Sequence, residues 1–209
     1  MVFLSREEAG KELGRYLAAR GVEADVVLGL PRGGAVVAAE VAHILNRPFD
    51  VLVVRKIGHP QQREFAVGAL AEPGVVLLDD AALANHRVNR SELDEVIAEE
   101  TERLHDYQAK FHPAGLPDLA HKRVLLVDDG LATGATMEAA VTSVKQQNAA
   151  AVMVAVPVAS PDAVDRLARV ADEVIALLID PGFMAVGQYY LNFPQTTDNE
   201  VMALLPAHA

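Results

Sequence analysis

The sequence predicts an α/β fold, a twisted and mainly parallel sheet flanked by helices, and three observations carry that prediction. Short continuous apolar runs, among them Asp25 to Leu30 and Val124 to Val127, suit strands covered on both faces. Glycine-bearing loops and helical stretches follow these runs, and the order strand, helix, strand recurs to Leu178, as right-handed crossovers in a parallel sheet require. Composition is that of an ordinary globular chain, 51% hydrophobic and 22% charged, and 209 residues suffice for one sizeable core.

Taken in order, Ser5-Arg-Glu-Glu8 is a capping box that opens an amphipathic helix ending at Gly21. Asp25 to Leu30 is the first core strand, and Pro31-Arg-Gly-Gly34 is the loop into a helix that runs to about Leu45. Phe49 to Val54 reads as a second strand ending at Arg55-Lys56. Residues 57 to 65, IGHPQQREF, mix Gly, Pro and polar residues without periodicity and read as a mobile loop. Ala66 to Ala71 and Val75 to Leu78 are short strands joined at Glu72-Pro-Gly74. Ser91 to Phe111 is a long helix with Leu93, Val96, Ile97, Leu104, Tyr107 and Phe111 along one side. It holds seven acids against two bases, a net −5 of the chain's −11, the mark of a solvated face. Beyond Val124 to Val127 and its helix come strand Ala151 to Val156, a helix started by Ser160-Pro161, and strand Glu173 to Leu178. Residues 180–209 lack a further strand and helix unit and read as a cap. The expectation is one domain over 1–209, with a helical insertion at 79–120 and a C-terminal hood at 180–209.

Several function classes are disfavoured. A net charge of −11 and a pI near 5.0 argue against a large surface for tracking nucleic-acid phosphates. Without cysteine, neither disulfides nor thiolate chemistry contribute. The opening MVFLSREEAGKEL lacks the pattern of a signal peptide, and the apolar run Ala149 to Ala159 contains Pro157 and falls short of the roughly 18 residues of a spanning helix. The expected location is therefore the cytoplasm, away from membranes. There is no Gly-x-Gly-x-x-Gly, no Gly-Lys-Ser/Thr and no His-Glu-x-x-His.

The chemistry is concentrated in Arg123 to Thr136, RVLLVDDGLATGAT. Asp128 and Asp129 emerge at the carboxyl end of a buried strand, where open α/β sheets bind ligands. Ala132, Thr133, Gly134, Ala135 and Thr136 then offer backbone N–H groups, hydroxyls and a helix start, an arrangement suited to a phosphate. Carboxylates repel phosphate and need hydroxyls or a metal ion, so a sugar phosphate satisfies both halves. In Pro31-Arg32-Gly33-Gly34, two adjacent glycines and the planar donor fork of Arg32 could meet a second anion. Arg32, Arg55, Lys56 and Arg63 read as falling on consecutive carboxyl-end loops of an otherwise acidic chain, which makes an anion-facing cluster the expectation.

The apolar strand, Asp128-Asp129, and Thr133-Gly134-Ala135-Thr136 resemble the phosphoribosyl pyrophosphate (PRPP) signature of type I phosphoribosyltransferases. Receiver domains also carry a strand ending in Asp-Asp, but there it opens the domain and lacks the Thr-Gly-x-Thr continuation. The resemblance covers about residues 25 to 195 and extends to bacterial phosphoribosyltransferases of unassigned substrate. It implies that Asp128 and Asp129 hold the ribose hydroxyls, that Ala132 to Thr136 hold the 5′-phosphate, and that Arg32, Gly33 and Gly34 form the pyrophosphate loop. It implies that Lys56 contacts pyrophosphate, with the following loop closing over the centre, and that Phe183 stacks on the acceptor. It further implies Mg²⁺ reached through PRPP rather than through a protein metal site, and a homodimer. The reaction implied is displacement of pyrophosphate from PRPP by a nitrogen nucleophile, with Asp128, Asp129, Lys56 and Arg32 as the catalytic groups. The acceptor stays open, purines first: Ala132 is similar to the adenine enzymes, while residues 183–193 are similar to the hypoxanthine-guanine enzymes. The alternatives are a PRPP-sensing regulator and an interaction protein that docks through the acidic helix.

Overall fold

The computed structural model describes residues 2–86 and 88–205, so Arg87 of the expected insertion and the last four residues of the expected hood lie outside it. In chain order the elements are α1 (Arg6–Ala19), β1 (Val26–Gly29), α2 (Gly33–Leu45), β2 (Phe49–Val51), β3 (Val54–His59), β4 (Gln62–Ala71), β5 (Val75–Leu78), α3 (Asp80–His86) and α4 (Arg90–Phe111). Then follow β6 (Arg123–Val127), α5 (Ala135–Gln146), β7 (Ala151–Ala159), α6 (Pro161–Leu167), β8 (Glu173–Ile179) and α7 (Asp198–Leu204). Strands β2-β1-β6-β7-β8 form a five-stranded sheet whose pairs are all parallel. Strands β3-β4-β5 form a separate antiparallel sheet.

The central strand explains the layering. Along β6 side chains alternate, so Val124 and Leu126 pack with Met137, Ala140, Val141 and Val144 of α5. Leu125 and Val127 pack the other way, with Leu13 and Leu17 of α1 and Val37 and Val41 of α2. Both faces are thereby covered, which is why the run is apolar without interruption. At about 1.5–3 kcal/mol for each fully buried aliphatic side chain, these layers dominate the driving force. At the amino end of the sheet, Asp25 accepts the backbone N–H of Arg123 at 2.8 Å and pairs with its guanidinium at 3.0 Å. Those hydrogen bonds hold the Asp25 carboxyl at about 2.

Two expectations for 49–65 are corrected. The run Phe49 to Val54 is not one strand: β2 ends at Val51, and Val54 opens β3 in the other sheet. Arg55 and Lys56 therefore lie within a strand, not at a strand's carboxyl end. Residues 57–65 are not a loop but a β-hairpin turning at Pro60-Gln61, with Ile57 opposite Gly68 and His59 opposite Gln62. Antiparallel pairing supplies the backbone hydrogen bonds, so the solvent-facing residues Gln62 to Phe65 can stay polar or exposed. Register shifts around Gly58 break the alternation that would have shown the strand, and a side chain at Gly58 would meet the Arg63 carbonyl.

The acidic helix is present as α4, but its charge is not all solvated. Glu100 is buried between Arg55 at 2.7 Å and Arg103 at 2.6 Å. The expected cap is also more structured than predicted. Tyr189 and Tyr190 pack against Phe3, Ala9 and Val158, and Phe3 exchanges backbone hydrogen bonds of 2.8 Å with Tyr189 and Leu191. Helix α7 is set by a capping box, Thr197 with Glu200, that the sequence reading does not single out.

Beneath α4 lies a buried acid and base pair. Glu72 Oε1 accepts the Val53 N–H at 2.7 Å and lies 3.1 Å from His112 Nε2, while Asp50 Oδ1 lies 3.6 Å from His112 Nδ1. Burial pushes the His112 pKa down, but the Glu72 hydrogen bond and the charges of Glu72 and Asp50 outweigh it, so the net direction is up. A histidine raised on folding contributes fully below its unfolded value of about 6.5, and the contribution is lost as pH rises through the folded value. Urea unfolding across that window should show stability falling as pH rises, and His112→Gln should flatten the slope. Glu72→Ala, which strands the buried imidazolium, should cost about 3–5 kcal/mol.

Candidate functional site

The carboxyl ends of β1, β6, β7 and β8 bring four loops to one edge of the parallel sheet, and the candidate site is built from them. Asp128 and Asp129 follow β6 directly. The loop after β1 packs onto them: a side chain on Gly34 would lie 2.6 Å from Asp128 Oδ1 and 3.0 Å from the Val127 carbonyl, and one on Gly33 would collide with Asp129 Oδ2. The paired glycines are thus needed for close packing against the acids. The Pro31–Arg32 peptide is cis, and α2 starts at Gly33.

The acid pair is unequal. Asp129 Oδ2 accepts Arg6 Nε at 2.7 Å, and its carbonyl accepts the Tyr190 hydroxyl at 2.6 Å. Asp128 has no cation in direct contact among the described residues; its Oδ1 accepts the Asp129 N–H at 2.8 Å. Burial, reinforced by the charge of Asp129, pushes the Asp128 carboxyl well up. Burial also raises Asp129, but the Arg6 hydrogen bond and charge oppose it. Both carboxyls are therefore raised, Asp128 the further, which makes Asp128 the more readily protonated of the two.

The Ala132 to Thr136 loop is held from outside. Ser160, the N-cap of α6, donates to the Ala132 carbonyl at 2.6 Å, and Arg166 donates to the Thr133 carbonyl at 3.3 Å. These bonds occupy carbonyls. The Ala135 N–H reaches the Thr133 hydroxyl only at 3.5 Å, so the first turn of α5 can still turn N–H groups toward an anion. Gly134, the N-cap of α5, has φ +74, and a side chain there would meet neighbours only at 3.4 Å or beyond. Its glycine serves the left-handed backbone rather than space.

The cations divide into two groups. Arg32 is half-exposed and faces Asp198 of α7 at 3.7 Å, and Asp198 in turn accepts Lys110 at 2.6 Å. Arg32 shares a cavity of about 250 Å³ with Arg55 and Tyr107. Lys56 is exposed and lines an adjoining cavity of about 580 Å³ with Arg55, Arg63 and Arg103. Asp128, Asp129, Gly33 and Gly34 are therefore in mutual contact, whereas Lys56 stands off from them beside α4. Phe183 is half-buried and stacks on Tyr189 at 5.3 Å, in the segment that covers Gly130 through Val186.

Sequence reasoning misses Arg6, Tyr190 and Asp198. A signal exists for the first: Arg6 continues the stripe Ala9, Gly10, Leu13, Gly14, Leu17 that α1 buries. A charge on such a stripe needs a buried partner.

The phosphoribosyl transferase domain model matches residues 6–186. The chain belongs to this family. Two Mycobacterium tuberculosis proteins, from strains CDC 1551 / Oshkosh and H37Rv, are provisionally named phosphoribosyl transferases and are 43% identical over 206 residues, 98% of this chain. The chain spans a little under half of their length, 46%. TT1426 from Thermus thermophilus is 46% identical in sequence, with a TM-score of 0.81 over 98% of both chains. The APRTase of Giardia lamblia, solved with 9-deazaadenine, shares the fold at a TM-score of 0.51 and 16% identity, over 84% of this chain and 79% of that one. The phosphoribosyl transferase fold thus accounts for the parallel sheet and its carboxyl-end loops.

The two glycine mechanisms separate experimentally. Gly134→Ala should cost about 1–2 kcal/mol for a left-handed alanine. Gly34→Ala, which drives a methyl into Asp128 and the Val127 carbonyl, should cost about 1–3 kcal/mol and also displace the carboxylate. Urea midpoints give the first quantity for each. Chemical shifts of the Asp128 carboxyl should move with Gly34→Ala and stay with Gly134→Ala.

Proposed function

We propose that this edge of the sheet binds PRPP and that the chain displaces its pyrophosphate with a nitrogen nucleophile, purines first. The observation that carries the reading is contact between the Gly33-Gly34 loop and an acid pair that runs directly into a helix-start loop. Asp129, paired with Arg6, and Asp128 hold the ribose hydroxyls. The N–H groups from Ala132 to Thr136 hold the 5′-phosphate. Arg32 and the Gly33-Gly34 turn receive the pyrophosphate, and Lys56, a cation on the α4 side with no close acid partner among the described residues, is the further group assigned to it.

Positive charge develops on the ribose as pyrophosphate leaves. Asp128 and Asp129 lie where that charge would be favoured, and Arg32 where the leaving charge would be. Mg²⁺ supplies further neutralisation of the leaving group when bound. Among the described residues no three His, Cys, Asp or Glu side chains converge as a metal cage. An ion that takes most of its ligands from substrate phosphates and water would need no such cage and would be held through PRPP. Phe183 is the aromatic assigned to the acceptor.

Pyrophosphate release should be detected from PRPP and Mg²⁺ with at least one member of a panel of purines, pyrimidines and simple amines. Asp129→Asn should weaken PRPP by about 1.5–3 kcal/mol, the worth of a charge-assisted hydrogen bond. Because binding uses carboxylates and Asp128 is raised in the free chain, PRPP affinity should climb as pH rises through that raised value. Calorimetry over pH checks the sign. Tight PRPP binding without release for any acceptor would favour the sensing reading, and no PRPP binding would sink both.

A further inference from the structure

Arg6 is unusual for a residue in the first turn of a helix: it is 9% exposed, and its guanidinium points into the fold. Nε donates to Asp129 Oδ2 at 2.7 Å, and Nη1 donates to the Pro194 carbonyl at 2.7 Å. The guanidinium carbon lies 3.7 Å from the centre of the Phe193 ring, within the range of a cation–π contact. Phe193 stacks on Tyr190 at 5.0 Å, and the Tyr190 hydroxyl donates to the Asp129 carbonyl at 2.6 Å. Two routes from the segment 190–194 therefore meet at Asp129, one through a ring and a cation and the other through a phenol.

A buried arginine could be a structural tie between α1 and the C-terminal segment and nothing more. Its bonds argue otherwise. A tie would be satisfied by backbone carbonyls, of which it uses one, whereas an equally short contact goes to one of two adjacent carboxylates. Two neighbouring carboxylates that share a buried position cannot both ionise freely, and an adjacent cation selects which one does. Arg6 selects Asp129. It also lies where a side chain at Gly33 would fall, so the loop after β1, the acid pair and α1 close on a single point.

We propose that Arg6 is a positioning residue for the Asp128–Asp129 pair, holding Asp129 as an oriented carboxylate and coupling it to the segment 190–194. The consequence for PRPP rests on the reading above, but the coupling to Asp129 does not. Loss of Arg6 would leave Asp129 beside Asp128 without a counter-charge, and the pair would take up a proton at higher pH.

The test is a carbon NMR titration of the aspartate carboxyls in the free chain, joined to calorimetry with PRPP. Arg6→Gln should shift the Asp129 titration upward, Arg6→Lys should restore much of the shift, and Ser5→Ala, which weakens the same helix cap without touching Asp129, should leave it in place. PRPP affinity near neutral pH should fall roughly tenfold in Arg6→Gln, the loss of one charge-assisted pair, and recover at higher pH. A folded Arg6→Gln chain with an unmoved Asp129 titration overturns the proposal. Should Arg6→Gln not fold, Phe193→Leu, which removes the ring beneath the guanidinium, must move the same signal in the same direction or the proposal falls. If the wild-type chain binds no PRPP while Arg6→Gln still moves the carboxyl, the positioning role stands and the PRPP reading alone is lost.

Discussion

Two carboxylates on consecutive residues, at the end of a strand buried on both faces, form the constraint around which this edge of the molecule is arranged. Each charge loses water, and each raises the cost of the other. The fold answers with an arginine from its first helix, a phenol from its C-terminal segment, and a loop whose residues have no side chain to interpose. Because these partners come from residues 6, 33, 34 and 190, the local chemistry at 128 and 129 fixes how distant parts of the chain must meet. The C-terminal segment is therefore bound to the sheet through the acid pair as well as through the apolar packing of Tyr189, Tyr190 and Phe3.

The cations are arranged on different terms. Arg32 and Asp198 are 3.7 Å apart and partly exposed, a geometry worth at most about 1 kcal/mol. Exchanging that carboxylate for a phosphate would cost little. Arg55 is held by the buried Glu100, together with Arg103, so moving it would strand a charge inside the protein. Arg32 can thus respond to an anion, while Arg55 serves to attach α4 to β3. Lys56 and Arg63 belong to the same α4-facing surface, which explains why basic residues adjacent in sequence to an apolar run need not face the acid pair.

Much of this is legible in the sequence because it is local. The apolar run before Asp128, the two glycines at 33 and 34, and the helix starts at Ser5 and Ser160 each announce themselves within a few residues, and the parallel sheet follows from their order. What escapes depends on partners far apart in the chain. Residues 57–65 form strands because they pair with one another and with 66–71 across register shifts that hide the alternation. Gly134 reads in sequence as part of a phosphate cradle, yet its φ of +74 is the more immediate demand. Glu100 looks like one more solvated acid until Arg55 closes on it. Arg6 is hidden inside a capping box, where a charged residue is ordinary, and only its place on the buried stripe of α1 sets it apart.

The two anion-suited loops are equivalent in one further respect. Pro31 to Gly34 leads into α2, of 13 residues, and Ala132 to Thr136 leads into α5, of 12, so two helix N-termini converge on the same sheet edge with the acid pair in contact with one and in sequence with the other. Each terminus carries roughly half a positive charge, and free N–H groups reinforce it. The field along this edge is therefore positive, negative, positive. A lone phosphate satisfies one end and is repelled by the middle, and a simple cation satisfies the middle and is repelled by both ends. The distribution suits a ligand that is anionic at two separated points and offers hydroxyls or a cation between them, and Arg6, 2.7 Å from Asp129, opposes the upward shift that burial imposes on that carboxyl.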